Sequence, residues 1–190
     1  MSFDFAAARS NMVESQVRTA DVTDYAIQDA MRQVRRESLA PPTKHFLAYA
    51  DAEIEYAPGF WMLRPRDIGK LLQALRPRAG ERALTIAAPY AALILQAMGL
   101  SVTRLEDGDL THLPSGVYDV IICEGGVTAC PAAWTAALAP DGRLGVVERS
   151  GPIGRAMLYL HSPAGVGRRD LFDCAAPLLP GFEPAAGFAF

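Results

Sequence analysis

Two helical patterns open the chain. The first covers about Phe5 to Arg18. The second follows Asp24, a good N-cap residue, and places Ile27, Ala30, Met31 and Val34 on one face at the spacing of an amphipathic helix. Pro41-Pro42 closes this helical cap. The stretch from Tyr49 to Leu63 is mixed and aromatic. Pro65, at a first helical position, then starts another helix in which Ile68, Leu71, Leu72 and Leu75 repeat the apolar spacing until Pro77 stops it. From residue 80 strand and helix alternate: Ala83 to Ile86 strand, Pro89 to Met98 helix, Val102 to Leu105 strand, Tyr118 to Cys123 strand, Pro131 to Leu138 helix, Arg143 to Val147 strand. That order predicts a parallel sheet with crossover helices. The last forty residues read as a strand from Arg155 to His161, a turn at Gly165 to Gly167 and an extended aromatic end from Phe182 to Phe190, which predicts an antiparallel C-terminal edge. The organisation expected is an N-terminal helical cap and loop region over 1–78 and an α/β core over 79–190, forming one compact unit.

Composition agrees with a folded domain. Of 190 residues, 51% are hydrophobic and 21% charged, which excludes a disordered or fibrous chain. A net charge of −3 leaves no dense Lys/Arg face, so nucleic acid is not an expected partner. No basic start with an apolar run precedes Phe3-Asp4-Phe5, and the greasy stretch from Ile86 to Leu100 is broken by Pro89, Gln96 and Gly99 and is too short to span a bilayer. A cytoplasmic protein in a reducing compartment is expected. Cys123, Cys130 and Cys174 are an odd number in apolar surroundings, suited to buried thiols, and His45, His112 and His161 lie apart with no metal-binding spacing.

Several segments could carry chemistry or contacts. Gly165-Val166-Gly167 before Arg168-Arg169 lacks the Lys-Ser/Thr and helix of a phosphate loop and reads as a hairpin turn with solvated arginines. Glu124-Gly125-Gly126 lies at a strand's carboxyl end, where α/β folds bind ligands, and is either a strand-to-helix turn or a pocket rim. No Gly-x-Ser-x-Gly elbow occurs, so a serine hydrolase is not supported. Phe60, Trp61, Met62 and Arg64 are residue types enriched at protein interfaces, as are the terminal Phe3, Phe5, Phe188 and Phe190; the alternative is that they fold inward.

The segments Asn11-Met12-Val13-Glu14-Ser15-Gln16-Val17-Arg18 and Asp29-Ala30-Met31-Arg32-Gln33-Val34 resemble the N-terminal helices of protein-L-isoaspartate O-methyltransferases. Glu81-Arg82-Ala83-Leu84 is similar to the entry into that family's first Rossmann strand, and Tyr118-Asp119-Val120-Ile121-Ile122 and Leu138-Ala139-Pro140-Asp141-Gly142-Arg143-Leu144 are similar to later sheet motifs. The tail, from Gly151-Pro152-Ile153-Gly154-Arg155 through Leu171-Phe172-Asp173 to Pro180-Gly181-Phe182, resembles a bacterial subgroup of the family. The likeness implies a truncated Rossmann-like methyltransferase fold. It also implies a glycine-rich turn for S-adenosylmethionine, a second-strand acid for its ribose, and a substrate loop of the form Thr-Ile-Ser-Gln-Pro.

At each of these three places the residues differ. The turn is Thr85-Ile86-Ala87-Ala88-Pro89-Tyr90, without glycine; Thr85 stands for the usual strand-end acid, Ala87 adds a Cβ and Pro89 removes an amide donor. Glu106 is a candidate for the ribose acid or, equally, a solvated strand-end charge. One αβ unit of roughly 25–30 residues is missing between it and Gly108-Asp109. In the substrate loop Trp61, Leu63 and Arg64 stand for threonine, serine and glutamine. The expectation from these departures is a non-catalytic pseudoenzyme with no catalytic residue and no bound cofactor, in which Thr85, Ala87, Pro89, Glu106 and Glu124 are vestigial. Relatives of the bacterial subgroup imply a role as an accessory subunit of respiratory complex I, peripheral at the cytoplasmic face of the inner membrane through its protein partners. The alternative is an S-adenosylmethionine-dependent protein-L-isoaspartate O-methyltransferase with an altered cofactor loop.

Overall fold

The sequence folds locally much as its periodicity predicts. In a computed structural model, which describes residues 4–183, helix α1 (Phe5–Met12) begins at Asp4, whose carboxylate accepts the Ala7 amide, and runs on through a π-helical turn and a 3₁₀ turn to Ala20. Helix α2 (Tyr25–Gln33) is capped by Asp24, which accepts from the amides of Ala26 and Ile27, and it buries Ile27, Ala30 and Met31. Pro41-Pro42 does not end the cap: 3₁₀ turns at Arg36–Leu39 and Pro42–Leu47 lie on either side, because proline at N1 loses no intrahelical bond. The aromatic stretch is a hairpin, β1 (Ile54–Ala57) and β2 (Phe60–Met62), turning at Gly59 with φ of 78°. Helix α3 (Pro65–Leu75) buries Ile68, Leu71, Leu72 and Leu75 and ends at Arg76 in the left-handed region.

The core sheet, among the described residues, has six strands: β3 (Arg82–Ile86), β4 (Ser101–Leu105), β5 (Tyr118–Val127), β6 (Leu138–Glu148), β7 (Arg155–Ser162) and β8 (Gly165–Asp173). Their order is β4-β3-β5-β6-β7-β8, with β3 parallel to β4 and β5, β5 parallel to β6, and β7 and β8 antiparallel. This is the expected α/β architecture with an antiparallel C-terminal edge. Helix α4 (Pro89–Ala97) crosses from β3 to β4, whereas β4 returns to β5 through residues 106–117 without a helix or a further strand. The edge position of β4 follows, since nothing in that connection extends the sheet beyond it.

Both faces of the sheet are covered. Along β5, Val120 and Ile122 enter the cluster shared with α2, α3 and α4, while Ile121 and Cys123 enter the opposite cluster with Leu110, Trp134, Leu179 and Phe182. Two-residue alternation sends successive side chains to opposite faces, so a strand covered on both reads as continuously apolar. Arg143 on β6 ties α3 to the sheet, donating to the carbonyls of Leu75 at 2.9 Å and Arg76 at 2.7 Å and pairing with Glu81 at 2.9 Å.

Three local expectations change. The turn read at Gly165 to Gly167 lies one step earlier, at Pro163-Ala164, and the glycines belong to β8. Helix α5 (Ala132–Ala136) is shorter than the Pro131 to Leu138 pattern because β6 already starts at Leu138. Glu124-Gly125-Gly126 is neither a turn nor an open rim: β5 runs through it, and the segment 176–179 lies against it. A Cβ on Gly125 would stand 2.5 Å from Leu179 Cγ, so only glycine admits that close approach. No helix of the described residues is long and apolar enough to cross a membrane.

Candidate functional site

The carboxyl ends of β3, β4 and β5 converge with the hairpin and the cap, and the residues singled out from the sequence fall into two groups there. Thr85, Ala87, Pro89, Leu63 and Glu124 are buried together, and Glu106 is half-exposed at the end of β4 with its carboxylate 2.8 Å from Arg104 Nε. Thr85 is fully buried, its Oγ1 3.4 Å from the Thr103 carbonyl, so it holds β3 to β4 rather than facing a ligand. Ala87, with φ of 47°, takes the left-handed conformation that glycine usually supplies, and its amide donates to the Leu105 carbonyl at 2.7 Å. Pro89 sits at the first position of α4, where its missing amide hydrogen would be unpaired in any case. The backbone path of a strand-turn-helix cradle is therefore kept although its glycines are gone.

Glu124 dominates this site. It is fully buried; Oε1 accepts the Ala91 amide at 2.6 Å, in the first turn of α4, and Oε2 accepts the Leu63 amide at 3.2 Å. Complete burial pushes its carboxyl up to about 7, against the opposing pull of the Arg36 charge and of the Ala91, Leu63 and Tyr90 amides. Arg36 binds the same residue at its other backbone group: it is fully buried, donates from Nη2 to the Leu63 carbonyl at 2.7 Å and stacks 4.7 Å from the centre of the Tyr90 ring. Burial lowers its affinity for a proton, while Tyr90 and Glu124 act the other way. Arg36 Nε, Arg36 Nη1 and the Tyr90 hydroxyl are buried without a hydrogen-bond partner in the protein.

Leu63 is thus held at both its amide and its carbonyl, its side chain in the core. The hairpin residues divide likewise: Met62 is fully buried, Phe60 packs beside Tyr56 with ring centres 6.2 Å apart, and Trp61 is half-buried under Lys44. Met62 is therefore no surface contact, because strand alternation turns it and Ile54 inward as a register pair. Arg64 pairs with Asp67 at 2.9 Å and Glu53 at 3.1 Å. Phe5 packs on His45 and Tyr49, with centroids 6.3 Å apart. Phe3, Phe188 and Phe190 lie outside the described residues. Sequence reasoning did not single out Arg36, and no local signal marks it: its neighbour Arg35 has the same chemistry and a side chain 70% exposed.

No protein-family model matches the chain. A protein-L-isoaspartate O-methyltransferase of Methylorubrum extorquens is 30% identical to it over 83% of this chain and 80% of the relative. The chain belongs to the protein-L-isoaspartate O-methyltransferase family. The methyltransferase of that name from Methylorubrum populi is 29% identical over 94% of this chain and 98% of its own length, in an alignment of 209 positions. A chain of 190 residues can fill such an alignment only with gaps, so that relative carries residues this one lacks. In fold, the chain is similar to a Plasmodium falciparum structure described as a putative protein-L-isoaspartate O-methyltransferase in complex with S-adenosyl-L-homocysteine, with a TM-score of 0.74, 14% identity, and coverage of 90% of this chain and 97% of that one.

These relatives correct the functional expectation. The pseudoenzyme without S-adenosylmethionine rested on missing motif residues and the accessory subunit of complex I on the likeness to a bacterial subgroup alone, whereas relatives matching most of the chain are named as methyltransferases, and a chain of the same fold is solved with S-adenosyl-L-homocysteine. The physical weakness of that inference lies at the turn: it treated lost glycine and a proline as a lost cradle, yet Ala87 reproduces the left-handed turn and Pro89 sits where proline is harmless. Side chains, not the backbone path, set this site apart. In the arrangement described, the Ala91 amide in the first turn of α4 is held by Glu124.

Proposed function

We propose that this chain is an S-adenosylmethionine-dependent methyltransferase acting on the carboxylate of isoaspartyl residues. The observation that carries this reading is the 30% identity to the Methylorubrum extorquens enzyme over most of both chains. Leu63 in place of a serine is compatible with it: a carboxylate is already ionised at neutral pH, so the acceptor needs positioning more than a base. The altered loop moves that demand from a hydroxyl to the shape of the hairpin around Trp61 and Arg64.

The reading is tested by offering the purified chain an isoaspartyl peptide, its normal aspartyl counterpart and methyl-labelled S-adenosylmethionine. Label released as base-labile ester from the isoaspartyl peptide alone is the expected result. Equal labelling of both peptides, or none above the protein-free control, would overturn it.

A further inference from the structure

The chain carries a net charge of −3, yet its unpaired positive charge is gathered in one place. Of its 18 lysines and arginines, five have neither an ion pair nor a side-chain hydrogen bond among the described residues: Lys70, Arg76, Arg78, Arg82 and Arg169. All of these but Arg82 line a groove of about 790 Å³ between the second half of α3, the turn before α2 and the face of β8. Leu171 and Phe172 give the groove an apolar wall, and the Lys70 ammonium lies 4.2 Å from the centre of the Phe172 ring, which holds it at that wall. The acids lining the groove are Asp21 and Asp24, and Asp24 is occupied in capping α2. The carbonyls at the end of α3, which would repel an anion, are taken up by Arg143. Cations without counter-ions beside an apolar wall match a polypeptide segment that carries both carboxylates and apolar side chains.

The groove also leads toward the loop that precedes α3. A second cavity of about 310 Å³ shares Ala20, Lys70 and Phe172 with it and reaches Arg66 and Asp67 in the first turn of α3. From Arg64, the N-cap of α3, to Arg76 the helix rises about 18 Å, a distance that about six extended residues cover. We propose that this groove binds an acidic segment of the protein being methylated, so that chain on one side of an isoaspartyl residue presented at the loop 60–64 lies along α3. The proposal rests on the methyltransferase reading above. It makes the groove a determinant of which substrates are taken, apart from the methyl transfer itself.

The test compares methylation of three isoaspartyl peptides by the full chain: a short one, and two in which a run of glutamates lies about eight residues before or after the isoaspartyl residue. At least one extended peptide should show a KM about tenfold lower than the short one at equal kcat. That advantage should shrink at high salt. Arg78→Glu combined with Arg169→Glu should abolish the advantage and leave the short peptide's KM unchanged. Arg82→Glu, which reverses the unpaired cation outside the groove, should leave every KM as it is. Equal KM for all three peptides, an advantage that survives the double reversal, or one lost equally in Arg82→Glu would overturn the proposal. So would a single-stranded oligonucleotide that displaces the extended peptide and binds more tightly than it does. If no peptide is methylated, the methyltransferase reading fails instead, and fluorescence anisotropy of the labelled extended peptides decides the groove: binding lost in the double variant and kept in Arg82→Glu supports it, and absent or unaltered binding rejects it. Should the double variant not fold, Arg78→Glu alone takes its place.

Discussion

The sheet has two charged borders, and they treat charge in opposite ways. Along β8, at the antiparallel edge, Arg155 pairs with Asp173 at 2.9 Å and Asp170 at 3.4 Å, and Arg168 lies 3.6 Å from Glu148; most of these side chains are half-exposed or more. Beside the carboxyl end of β3, Glu124 and Arg36 are fully buried, one holding the amide of Leu63 and the other its carbonyl. Water screens the first set, so each pair contributes little; the second is buried, so each charge depends on compensation by its surroundings. The difference shows where a charged residue in this chain has consequences for function. A solvated arginine keeps an edge strand from pairing with other chains, while the buried one ties the loop at Leu63 to Tyr90 on α4.

That contrast can be broken by mutation. The largest effect is expected for Arg36→Ala, which leaves Glu124 buried without a cation and should cost about 3–5 kcal/mol in urea unfolding; a cost under about 1 kcal/mol would mean that the pair is not buried in solution. Leu63→Ser, which restores a hydroxyl at the family's serine position, removes a fully buried apolar side chain and should cost about 2–5 kcal/mol in thermal unfolding. Retained stability would show that the Leu63 side chain is not packed in the core in solution.

Acidity sharpens the comparison further. Burial raises the carboxyl of Glu124 to about 7 and that of Asp67 above its ordinary value, so the folded chain binds protons more tightly than the unfolded chain. Their stabilising effect is complete below the unfolded value of about 4.3 and is lost as pH rises through the folded one. The melting temperature should therefore fall between about pH 5 and about pH 8, and Glu124→Gln should flatten the slope. Hydrogen bonds from arginines lower Glu14, from the Gly59 amide and Lys44 lower Glu55, and from the Thr111 hydroxyl and amide lower Asp109, so their contributions change only at more acid pH and leave this window to Glu124. The smallest effect is expected at the other border: Arg155→Ala should change stability by no more than about 0.5 kcal/mol, measured by the same unfolding curves.

Much of the fold could be read before any coordinates. The spacing of Ile68, Leu71, Leu72 and Leu75 between Pro65 and Pro77 specifies α3, Asp24 specifies the start of α2, and the continuous apolar run from Tyr118 to Cys123 specifies a central strand. The hairpin at 54–62 was not legible, because its strands are short and their alternation is hidden by aromatics on both faces. In the site, Leu63, Ala87, Pro89 and Glu124 were recognised as positions of interest, and their chemistry was misjudged. Motif reasoning counts residue types, while the turn's function depends on the φ of Ala87 and on what receives the α4 amides.

Sequence alone determined the principal helices, the core strands, their order and the family, since periodicity, caps and proline positions act within a few residues of chain. Only the tertiary structure decided which of two adjacent arginines is solvated and which is buried. Arg35 and Arg36 are identical in local chemistry; their difference arises from β5 and α4, which bring Glu124 and Tyr90 to one of them from far along the chain. Burial and charge compensation are properties of that convergence, and no window of sequence contains them.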